Sequence, residues 1–441
     1  MAQQKGLYIR TFGCQMNSYD STRMADLLAQ SHGYGLVEDP AQADLVIFNT
    51  CHIREKAEEK LFSELGRLRK GMRGKKTLFA VGGCVGQAQG ELIFRRAPYV
   101  DLVFGPQNYH LLPKMLDRLK RDGGHIGDSS IPEEPKFDLL PQQSSTSSVA
   151  SVTVQEGCDR FCAFCVVPYT RGREWSRPVE DILHEVTGLV SQGCLEVQLL
   201  GQNVNAYQGR DAEGVVYDLA LLIRRVALVS GVKRIRFVTS HPADMNADLL
   251  EIFAELPELC PYLHLPLQSG SDRILQRMGR GHTVAEYLEW VDRFRHLCPD
   301  GAIASDFIVG FPGETEADFA ETLAMVERVG FDHAYSFQYS PRPGTSALEL
   351  DGVVSKEVGS QRLAVLQKVL NDVQLRKNRQ RVGRIEAVLV EGASPRHPGE
   401  WVGRAPDFRR VNFPSSENLL GCIVSVKITE GLPNSLRGIL A

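Results

Sequence analysis

The hydrophobic and polar residues of this chain alternate in a way that predicts two successive series of β-strands and α-helices. In the first series, apolar runs at residues 45–48 and 77–81 are separated by amphipathic or charged helical stretches. A run that is apolar at successive positions is typical of a parallel strand covered on both faces. The alternation therefore predicts an α/β domain with a doubly wound parallel sheet at residues 5–122. Its elements are expected as strands at residues 7–11, 45–48, 77–81 and 102–104, one helix from Ser18 to a stop near Gly33, and another over residues 54–69.

A second alternation begins at residue 151, after a segment of different composition. Residues 121–148 contain glycines, several prolines and a Gln/Ser/Thr run without a regular apolar period, which predicts a linker at residues 123–149. Beyond it, six strand-like runs alternate with helical patterns. Six βα units in about 190 residues are too few for a closed eight-stranded barrel and predict a partial (β/α)6 barrel over residues 150–376. The six strands are expected at residues 151–155, 195–200, 234–238, 262–265, 302–309 and 333–340.

The C-terminal part of the chain changes pattern again. A helix rich in Leu and Val, at residues 361–375, is followed by short stretches in which apolar and polar residues alternate. Alternation with a period of two is typical of strands with one buried face. Residues 377–441 are therefore predicted to form a small antiparallel β-barrel of the oligonucleotide-binding kind. Its strands are expected at residues 385–390, 401–404, 411–413 and 424–429.

Charge is unevenly distributed along the chain. Residues 376–441 contain 11 Lys or Arg and 6 Asp or Glu, a net charge of +5, although the whole chain has a net charge of −4. Such a basic segment is the expected footprint of a nucleic-acid contact. A basic helix end also suits the helix dipole and is often only a solvated face, so charge alone leaves both interpretations open.

Length and composition limit the class of protein. A chain of 441 residues, with 43% hydrophobic and 24% charged residues, is expected to form about two to four soluble domains. The N-terminus lacks the apolar core of a signal peptide, and no stretch reaches the roughly 18 apolar residues that a membrane span needs. We therefore expect a cytoplasmic protein with no membrane partner, whose ten cysteines serve metal or redox chemistry rather than disulfides.

Three cysteines lie close together just after the strand predicted at residues 151–155. Cys158, Cys162 and Cys165 follow the spacing C-x3-C-x2-C. Thiolates are soft ligands that select zinc or iron–sulfur chemistry, and a structural zinc site needs four protein ligands. Because no fourth Cys or His follows at zinc-finger spacing, an iron–sulfur cubane with one open iron fits better. The alternative, three unconnected core cysteines, is hard to reconcile with this close spacing.

Three further cysteines, Cys14, Cys51 and Cys84, each follow one of the first three predicted strands. In open parallel sheets the ligand site lies just outside the carboxyl ends of the strands, so these side chains are predicted to converge. Glycines and small polar residues flank them, which suits a backbone that approaches a bound group closely. Free cysteine is also among the most buried residue types, so a role as small core residues is the alternative. The cysteines that share no motif are expected to be structural: Cys194, Cys260, Cys298 and Cys422.

Polar loops follow four of the strands predicted in the central domain. They lie at residues 201–205, 240–242, 268–271 and 310–314. Each loop by itself is most simply a turn. Because the carboxyl ends of the strands in such a barrel share one rim, four polar loops beside the three-cysteine loop predict a binding pocket there.

The C-x3-C-x2-C loop, with the aromatic Phe164 before its last cysteine, resembles the signature of radical S-adenosylmethionine (SAM) enzymes. In that family the three cysteines hold a [4Fe-4S] cluster whose open iron binds SAM, and one electron from the cluster cleaves SAM to a 5′-deoxyadenosyl radical. The resemblance implies that Cys158, Cys162 and Cys165 are the catalytic cluster ligands. It also implies a cofactor-binding set, with Phe164, Ile308 and Gly310 along the adenine, Gly201 and Gln202 near the methionine amine, and Ser240 and Gln268 on the same rim.

Further motifs extend the resemblance over essentially the whole chain, to the methylthiotransferase family. They are residues 11–17, 157–165, 167–174, 201–207 and 264–271. The basic run, the predicted barrel and three aromatics of a kind usually exposed (Trp401, Phe408, Phe413) resemble the TRAM domain of RNA-modifying enzymes. The sequence departs from that pattern at Ala405, where TRAM domains commonly have Thr.

Membership of this family implies an enzyme that adds a methylthio group to C2 of isopentenyladenosine beside the anticodon of tRNA. It implies SAM and two [4Fe-4S] clusters, the second held by Cys14, Cys51 and Cys84 as the carrier of the sulfur. It implies as partners a tRNA bearing isopentenyladenosine and a one-electron donor such as a flavodoxin or ferredoxin. The C2–H of adenine is neither acidic nor electrophilic, so acid–base side chains do not reach it and a cofactor must carry the chemistry.

Two other functions stay open from the sequence. Sister methylthiotransferases that act on a ribosomal protein or on threonylcarbamoyl-adenosine in tRNA share all six cysteines. The stretch at residues 202–207 favours the isopentenyladenosine group by resemblance only. A non-catalytic RNA-binding protein with a structural zinc would need only the basic barrel and one cysteine loop.

Overall fold

A computed structural model gives the fold of the chain, and it describes residues 5–52, 55–72, 74–131, 136–144, 147–395 and 397–441. The chain divides into two compact units. The first contains Met1–Ser144, Glu156–Asp159 and Cys165–Trp175, and the second contains Ser145–Gln155, Arg160–Phe164 and Ser176–Ala441. Within the described ranges, no helix is long and apolar enough to cross a membrane.

The first unit is built on a sheet of six parallel strands, which confirms the predicted doubly wound sheet. Its strands are β1 (Lys5–Phe12), β2 (Tyr34–Leu36), β3 (Leu45–Thr50), β4 (Leu78–Gly82), β5 (Leu102–Phe104) and β6 (Ile126–Asp128). Its helices up to residue 122 are α1 (Gln15–His32), α2 (Glu55–Gly71), α3 (Cys84–Gln89), α4 (Leu92–Arg96) and α5 (Leu112–Asp122). The strand order is β2-β1-β3-β4-β5-β6, so the three strands that precede the dispersed cysteines are direct neighbours.

Burial explains why these residues form a central sheet. All six residues of β3 are buried, as expected for a parallel strand covered on both faces. On one face Ile47 shares a core with Leu28 of α1 and Leu116 of α5, and on the other Phe48 shares a core with Leu65 of α2. Each such side chain contributes about 1.5–3 kcal/mol when it is fully buried.

The two edge strands of this sheet are not predicted by the sequence. Strands β2 (Tyr-Gly-Leu) and β6 (Ile-Gly-Asp) lack the continuous apolar run that makes the equally short β5 (Leu-Val-Phe) predictable. Strand β6 lies in the segment predicted to be a linker, so the sheet extends further along the chain than expected. Helix α1 does end at Gly33, whose left-handed backbone caps it. The helix predicted at residues 54–69 begins at a residue outside the described ranges, and α2 corresponds to the rest of it.

The second unit contains six parallel strands that alternate with helices. From residue 149 the elements of the chain are β7 (Val149–Thr153), β8 (Gln155–Glu156), α6 (Val167–Thr170), β9 (Trp175–Ser176), α7 (Val179–Ser191), β10 (Glu196–Leu200), β11 (Gly209–Arg210), β12 (Val216–Tyr217), α8 (Leu219–Ala227), β13 (Arg234–Phe237), α9 (Ala247–Glu255), β14 (Tyr262–His264), α10 (Asp272–Arg277), α11 (Val284–Leu297), β15 (Ala302–Val309), α12 (Glu316–Val329), β16 (His333–Gln338) and α13 (Lys356–Arg379). Strands β7, β10 and β13 form one parallel sheet, and β14, β15 and β16 form another. A parallel bridge between Ile235 and Leu259 continues the ladder from β13 toward β14. The predicted partial (β/α)6 architecture is therefore confirmed.

The chain ends in a closed five-stranded barrel, which confirms the predicted C-terminal fold. Its strands are β17 (Ile385–Ala393), β18 (Glu400–Arg404), β19 (Arg410–Pro414), β20 (Ile423–Leu432) and β21 (Ser435–Leu440). Four of its strand pairs are antiparallel, and a parallel pair of β19 with β21 closes it. The sequence did not indicate β21. Phe413, expected to be an exposed aromatic, is instead fully buried in the barrel core with Val388 and Val426.

A buried arginine of β13 holds this barrel to the rest of the second unit. Arg236 alternates along the strand with Ile235, which belongs to the apolar core under the helices, so Arg236 faces the opposite side of the sheet. There its guanidinium donates to the carbonyl oxygens of Ala405 (2.9 Å) and Pro406 (2.6 Å) and pairs with Glu196 at 2.8 Å. The departure at Ala405 thus lies at an internal contact that uses its backbone.

A second buried arginine fastens the same turn of the barrel. Arg409 is 2% exposed and pairs with Asp332, at 2.5 Å, and with Asp407. Its Nε also donates to Oδ1 of Asn378 in α13 at 2.8 Å. Because a buried ion must be paired to be tolerated, this set of contacts fixes the turn against β16 and α13.

Phe408 lies between these two arginines and has a left-handed backbone, with φ of 71°. Such a conformation costs a non-glycine residue about 1–3 kcal/mol and persists where its surroundings hold it. The ring packs on Tyr262 with centroids 4.9 Å apart, and the guanidinium groups of Arg236 and Arg404 lie over it. Phe408 therefore docks the barrel inside the second unit, contrary to the expectation of an exposed aromatic.

This docking predicts that loss of Arg409 destabilises the protein far more than loss of its neighbour. The Arg409→Met substitution leaves Asp332 and Asp407 buried without this cation, so we expect the free energy of unfolding to fall by about 3–5 kcal/mol. Arg410→Met is the matched control, because Arg410 is exposed on the same strand and forms no ion pair among the described residues; a change within about 0.5 kcal/mol is expected. Urea denaturation followed by circular dichroism measures both variants. Equal urea midpoints for the two variants would show that the ion pairs of Arg409 do not hold the barrel to the rest of the second unit.

Candidate functional site

Cys14, Cys51 and Cys84 lie just past the carboxyl ends of the neighbouring strands β1, β3 and β4. The amide of Cys51 donates to the carbonyl oxygen of Phe12 at 2.8 Å, which carries the ladder between β1 and β3 up to the cysteine. The side chain of Cys51 hydrogen-bonds to that of Cys14, and Cys14 and Cys84 are close enough to interact electrostatically. The fold thus brings three cysteines from distant parts of the sequence to one edge of the sheet.

Two glycines allow the backbone to pass close to these cysteines. Gly13 and Gly83 have φ values of 144° and 82°, a region that favours glycine. A Cβ atom on Gly13 would stand 2.5 Å from Cβ of Cys51, and one on Gly83 would stand 2.3 Å from Oδ1 of Asn49. Side chains at these positions would therefore push the cysteine loops apart.

A pair of buried asparagines orients Cys14. The thiol of Cys14 donates to Oδ1 of Asn17 at 3.2 Å, and Nδ2 of Asn17 donates to Oδ1 of Asn49 at 3.1 Å. The amide of Asn49 returns a hydrogen bond to the backbone oxygen of Asn17 at 2.7 Å. Cys14 also immediately precedes α1, whose first-turn amides have no partner within the helix. The sulfur of Cys14 is consequently held in a fixed, polar position.

These surroundings favour a thiolate at Cys14. The hydrogen bond from Cys51, the Arg171 guanidinium and the backbone amide of Asn17 lower the pKa of Cys14 to about 6, against the opposing effect of desolvation. Burial raises the pKa of the Cys84 thiol, and the positive charge of Arg171 opposes that rise. Cys14 is accessible to solvent whereas Cys51 and Cys84 are buried. The metal-free protein therefore presents one reactive thiolate and two protected thiols.

Arg171 is a site residue that sequence reasoning does not single out. It is 4% exposed and lies in the segment of the first unit that follows Cys165. The only signal for it in the sequence is its place in the family-like stretch at residues 167–174. Its ion pair with Asp20, 151 positions away along the chain, becomes visible only in the folded structure.

Cys158 and Cys165 of the C-x3-C-x2-C loop belong to the first unit. The amide of Cys158 donates to the carbonyl oxygen of Gly172 at 3.3 Å. The sulfur of Cys165 accepts a hydrogen bond from the amide of Val167 at 3.5 Å. Cys158 is buried and Cys165 is half-buried. Both cysteines are thus anchored by the segment that leads on to Arg171.

Cys162 belongs to the second unit, where Arg280 and His241 surround its sulfur. The Arg280 guanidinium donates to Sγ of Cys162 at 3.4 Å and to the carbonyl oxygen of Pro266 at 2.7 Å. Nε2 of His241 lies 3.8 Å from the same sulfur. A fixed positive charge beside the sulfur suits a ligand that is anionic when it binds a metal.

Two histidines near Cys162 are neutral. Burial, assisted by the positive charge of Arg280, lowers the pKa of His241 to about 2 and that of His282 to about 4. Their rings meet edge to face, with centroids 5.9 Å apart. They therefore contribute shape and hydrogen bonding around Cys162 rather than charge.

Phe164 and Ile308, both predicted to lie along the adenine of SAM, contact the same small apolar cluster. That cluster is formed by Ala163, Ile274, Met278, Phe311 and Ala347. The Phe164 and Phe311 rings meet edge to face at 6.4 Å. Gly310 follows with a φ of 71°, and its amide donates to Oε2 of Glu314 at 2.6 Å. The structure thus brings this part of the predicted cofactor set together beside the cysteine loop.

Gly201 and Gln202 are held by the side chain of Gln155. Oε1 of Gln155 accepts a hydrogen bond from the amide of Gln202 at 2.8 Å, and a Cβ atom on Gly201 would stand 2.6 Å from it. The amide of Val204, in the same loop, donates to the carbonyl oxygen of Thr239 at 3.0 Å, which joins this loop to the one that contains Ser240. Gly201 is consequently needed for close packing at this rim.

Ser240 and Gln268 lie on the rim as predicted for the ends of β13 and β14. The Oγ of Ser240 is buried and has no hydrogen-bond partner among the described residues. Gln268 has a φ of 76°, and its amide donates to the carbonyl oxygen of Asp306 at 2.9 Å. Strained backbone and an unsatisfied buried hydroxyl are typical of a surface that binds a ligand.

The residues that sequence reasoning missed on this rim are Arg280, His241 and Gln155. His241 follows Ser240 in a loop already noted as polar, and Gln155 ends a predicted strand, so weak signals existed for both. Arg280 has no sequence signal, because its contact with Cys162 spans 118 positions along the chain.

The donor chemistry of both cysteine sets fits iron–sulfur clusters. All six donors are thiols, and the Arg280 guanidinium hydrogen-bonds to the sulfur of Cys162. Among the described residues, no group of three His, Cys, Asp or Glu side chains already has the geometry of a metal site. The assignment of the six cysteines as ligands therefore stays a prediction, which for Cys14, Cys51 and Cys84 is supported by their convergence.

Three family models match successive parts of the chain. Residues 6–105 match a family described as uncharacterized protein family UPF0004, residues 152–326 match the radical SAM superfamily, and residues 379–441 match the TRAM domain. The three matches follow one another along the chain without overlap. The radical SAM match implies SAM and a [4Fe-4S] cluster.

Curated relatives match nearly the whole chain. A tRNA-2-methylthio-N(6)-dimethylallyladenosine synthase of Magnetococcus marinus is 63% identical over 434 residues, which cover 98% of this chain and 99% of the relative. A protein of the same name from Alkalilimnicola ehrlichii is 51% identical and covers 98% of this chain and 96% of the relative. Such identity over full length places all three domains in one family.

Solved structures share the fold at low sequence identity. The radical SAM methyltransferase TsrM from Kitasatospora setae is 13% identical with a TM-score of 0.55, covering 78% of this chain and 77% of that chain. The cobalamin-dependent SAM radical enzyme OxsB has a TM-score of 0.53 at 13% identity, covering 84% of this chain and 56% of that chain. At this identity the likeness shows the fold alone.

The thiolate at Cys14 predicts an unusual pH dependence of alkylation in the metal-free protein. With a lowered pKa of about 6, the fraction of thiolate rises between about pH 5 and 7 and is then nearly complete. We expect the rate of iodoacetamide labelling at Cys14, measured by peptide mass spectrometry, to level off by about pH 7. N-acetylcysteine in the same buffers is the reference, and its labelling rate should keep rising with pH up to about pH 9. A Cys14 rate that tracked this reference would show that its surroundings do not stabilise a thiolate.

Proposed function

The chain belongs to the family of tRNA-2-methylthio-N(6)-dimethylallyladenosine synthases, and on that premise we propose that it adds a methylthio group to C2 of isopentenyladenosine beside the anticodon of tRNA. The observation that carries this proposal is the 63% identity to a synthase of that name across 98% of the chain. The convergence of Cys14, Cys51 and Cys84 supports it, because a methylthiotransferase needs a second sulfur-handling centre. The names of the relatives favour this substrate over those of the sister methylthiotransferases.

We assign the work to three domains. Residues 5–122 would form the sulfur-handling domain, followed by the linker at 123–149. Residues 150–376 would form the radical SAM core, and residues 377–441 the TRAM domain. When bound, a [4Fe-4S] cluster on Cys158, Cys162 and Cys165 would supply the electron that cleaves SAM, and a second cluster on Cys14, Cys51 and Cys84 would carry the sulfur.

The residues around Cys162 prepare the radical SAM site for this chemistry. Arg280 fixes Cys162 and balances its charge, and His241 packs against it without adding charge. Phe164 and Ile308 offer an apolar surface that suits the adenine of SAM. The rim at Gly201 and Gln202 offers backbone groups at the place where the methionine part of SAM would lie.

The basic C-terminal segment offers fewer phosphate contacts than its composition indicates. Ten of its eleven Lys and Arg residues lie in the part of the chain that the structure describes, and seven of these ten form ion pairs with acidic residues of the chain. Arg379, Arg410 and Lys427 are exposed and form no ion pair among the described residues. We therefore assign the phosphate contacts of the bound tRNA to these three, with a small number of released counterions.

The proposed reaction also needs an electron donor and a cellular location. Cleavage of SAM needs a single electron at low potential, so the partner would be a one-electron donor such as a flavodoxin or ferredoxin. Both this donor and tRNA are available in the cytoplasm, which is the location we propose.

A comparison of three substrates tests the proposed function. The reconstituted enzyme, with SAM and a reductant, should methylthiolate isopentenylated tRNA in strong preference to the same tRNA without the prenyl group, and should not modify a ribosomal protein. Burial of the prenyl group can supply about 2 kcal/mol that bare adenosine lacks, which is roughly a thirtyfold preference. Mass spectrometry of nucleosides and peptides measures the products. Equal reaction of the unmodified tRNA would remove the prenyl recognition, and modification of the protein alone would assign the chain to a sister activity.

A further inference from the structure

Arg160 lies in the middle of the three-cysteine loop, two positions before Cys162. Both residues belong to the second unit. The Arg160 guanidinium donates to both carboxylate oxygens of Asp244, and its Nε lies 2.9 Å from Oδ2. A bidentate pair of arginine and carboxylate fixes direction as well as distance. Asp244 therefore holds the loop at a point next to Cys162.

The same carboxylate also holds the loop that follows β10. Nδ2 of Asn203 donates to Oδ2 of Asp244 at 2.8 Å. Asn203 is 2% exposed and directly follows Gln202, which is proposed to lie near the methionine part of SAM. The backbone amide of Asn203 donates to Oε1 of Gln155 at 3.1 Å, so the backbone of this loop is held as well. Asp244 thus joins the three-cysteine loop to the rim loop at residues 201–205.

This contact settles which way the side-chain amide of Asn203 faces. An ionised carboxylate accepts hydrogen bonds and cannot donate them, so Nδ2 of Asn203 faces Asp244 and Oδ1 faces away from it. Oδ1 is buried, and within the described ranges it has no hydrogen-bond partner. A buried acceptor without a partner is costly, and a donor from a bound ligand would satisfy it. Asp244 therefore sets the direction of an open acceptor on this rim.

Asp244 is itself held by a buried network. It ends the helical turn Pro242–Asp244, and its amide donates to the carbonyl oxygen of His241 at 3.0 Å. The backbone of His241 makes two hydrogen bonds with the side-chain amide of Asn205, at 2.8 and 2.9 Å. The ring of His241 lies beside the sulfur of Cys162. The turn is thus fixed, and the side chain of Asp244 is only 19% exposed.

We propose that Asp244 is a positioning residue of the radical SAM site, which aligns the three-cysteine loop, through Arg160, with the rim loop, through Asn203. The inference rests on the proposed function in one respect, that Cys158, Cys162 and Cys165 hold a cluster that binds SAM. A ligand held at once by the cluster and by the rim needs the two at a fixed distance. Loss of Asp244 therefore weakens SAM binding while the three cysteines remain in place to hold the cluster.

Glu255 provides a matched control in the same unit. Its carboxylate receives Nε and Nη2 of Arg224 in α8, as the carboxylate of Asp244 receives the guanidinium of Arg160. The side chains of the two arginines are about equally exposed, 35% for Arg224 and 39% for Arg160. In the described part of the chain, the Glu255 side chain hydrogen-bonds to Arg224 only. Its loss removes an arginine–carboxylate pair without touching either loop.

The test uses the full chain with Cys14, Cys51 and Cys84 all changed to Ala, so that only the three-cysteine loop can bind a cluster. On this parent we compare Asp244→Ala, Asp244→Asn, Asp244→Glu and Glu255→Ala. SAM is titrated into each reduced, reconstituted protein, and the change in the electron paramagnetic resonance spectrum of the cluster gives the Kd for SAM. Iron content and the urea midpoint are measured on the same samples, and none of these readouts depends on enzyme turnover.

We expect Asp244→Ala to keep about four irons and to raise the Kd for SAM about tenfold or more. Asp244→Asn has the same shape but turns an N–H toward Arg160 or Asn203, which are both donors, so it should lose affinity to a similar extent. Asp244→Glu keeps the carboxylate and should recover most of the affinity. Glu255→Ala should stay within about twofold of the parent.

Four results would overturn the inference. An unchanged Kd in Asp244→Asn would remove the role of Asp244, and this variant decides the question if the urea midpoint shows that Asp244→Ala is unfolded. An equal rise in Kd for Glu255→Ala would reduce the effect to a general loss of stability. Loss of the iron itself from Asp244→Asn would make Asp244 a support of the cluster rather than of its alignment with the rim. A parent protein that binds no iron would overturn the proposed cluster, and this outcome is distinct because it appears before any change at Asp244.

Discussion

Buried arginines join parts of this protein that lie far apart in its sequence. Arg171 meets Asp20 across 151 positions, Arg236 meets Pro406 across 170, and Arg409 meets Asp332 across 77. A buried guanidinium is stable only when its donors and charge are satisfied, so each one fixes several oxygen atoms in place at once. In the first unit this constraint shapes the cysteine site, and in the second it holds the C-terminal barrel to the strands of the radical SAM core.

The direction of the strands supplies the other constraint. Parallel strands end at the same edge, so the loops that follow β1, β3 and β4 must meet, and those loops carry Cys14, Cys51 and Cys84. The loops after β10, β13, β14 and β15 meet in the same way around Cys162 and carry the residues proposed to contact SAM. Both sites thus follow from topology, whereas their electrostatics follow from Arg171 and Arg280, which arrive from other parts of the chain.

The sequence predicts elements well where a residue pattern has a single structural explanation. Strand β3 is predicted because residues 45–48 are apolar at successive positions, and the structure buries all six residues of the strand. The helix cap at Gly33 is predicted because a left-handed residue is needed there. Strands β2 and β6 are not predicted because each has a glycine at its centre and no continuous apolar run, unlike the equally short β5. Phe408 and Phe413 resemble exposed RNA-binding aromatics, but Phe413 is fully buried in the barrel core and Phe408 is half-buried against Tyr262. Cysteine spacing predicts both candidate sites, yet no spacing predicts the contact of Arg280 with Cys162 or the electrostatic effect of Arg171 on Cys84.

The most direct test of the account counts iron in cysteine variants. Protein reconstituted without oxygen should bind about eight irons, and replacing either Cys14, Cys51 and Cys84 or Cys158, Cys162 and Cys165 by Ala should leave about four. Reductive cleavage of SAM should survive in the first variant and disappear in the second, and neither should form methylthiolated tRNA. If the variant without Cys14, Cys51 and Cys84 kept all of its iron and its product, those cysteines would be core residues and the two-cluster account would be wrong.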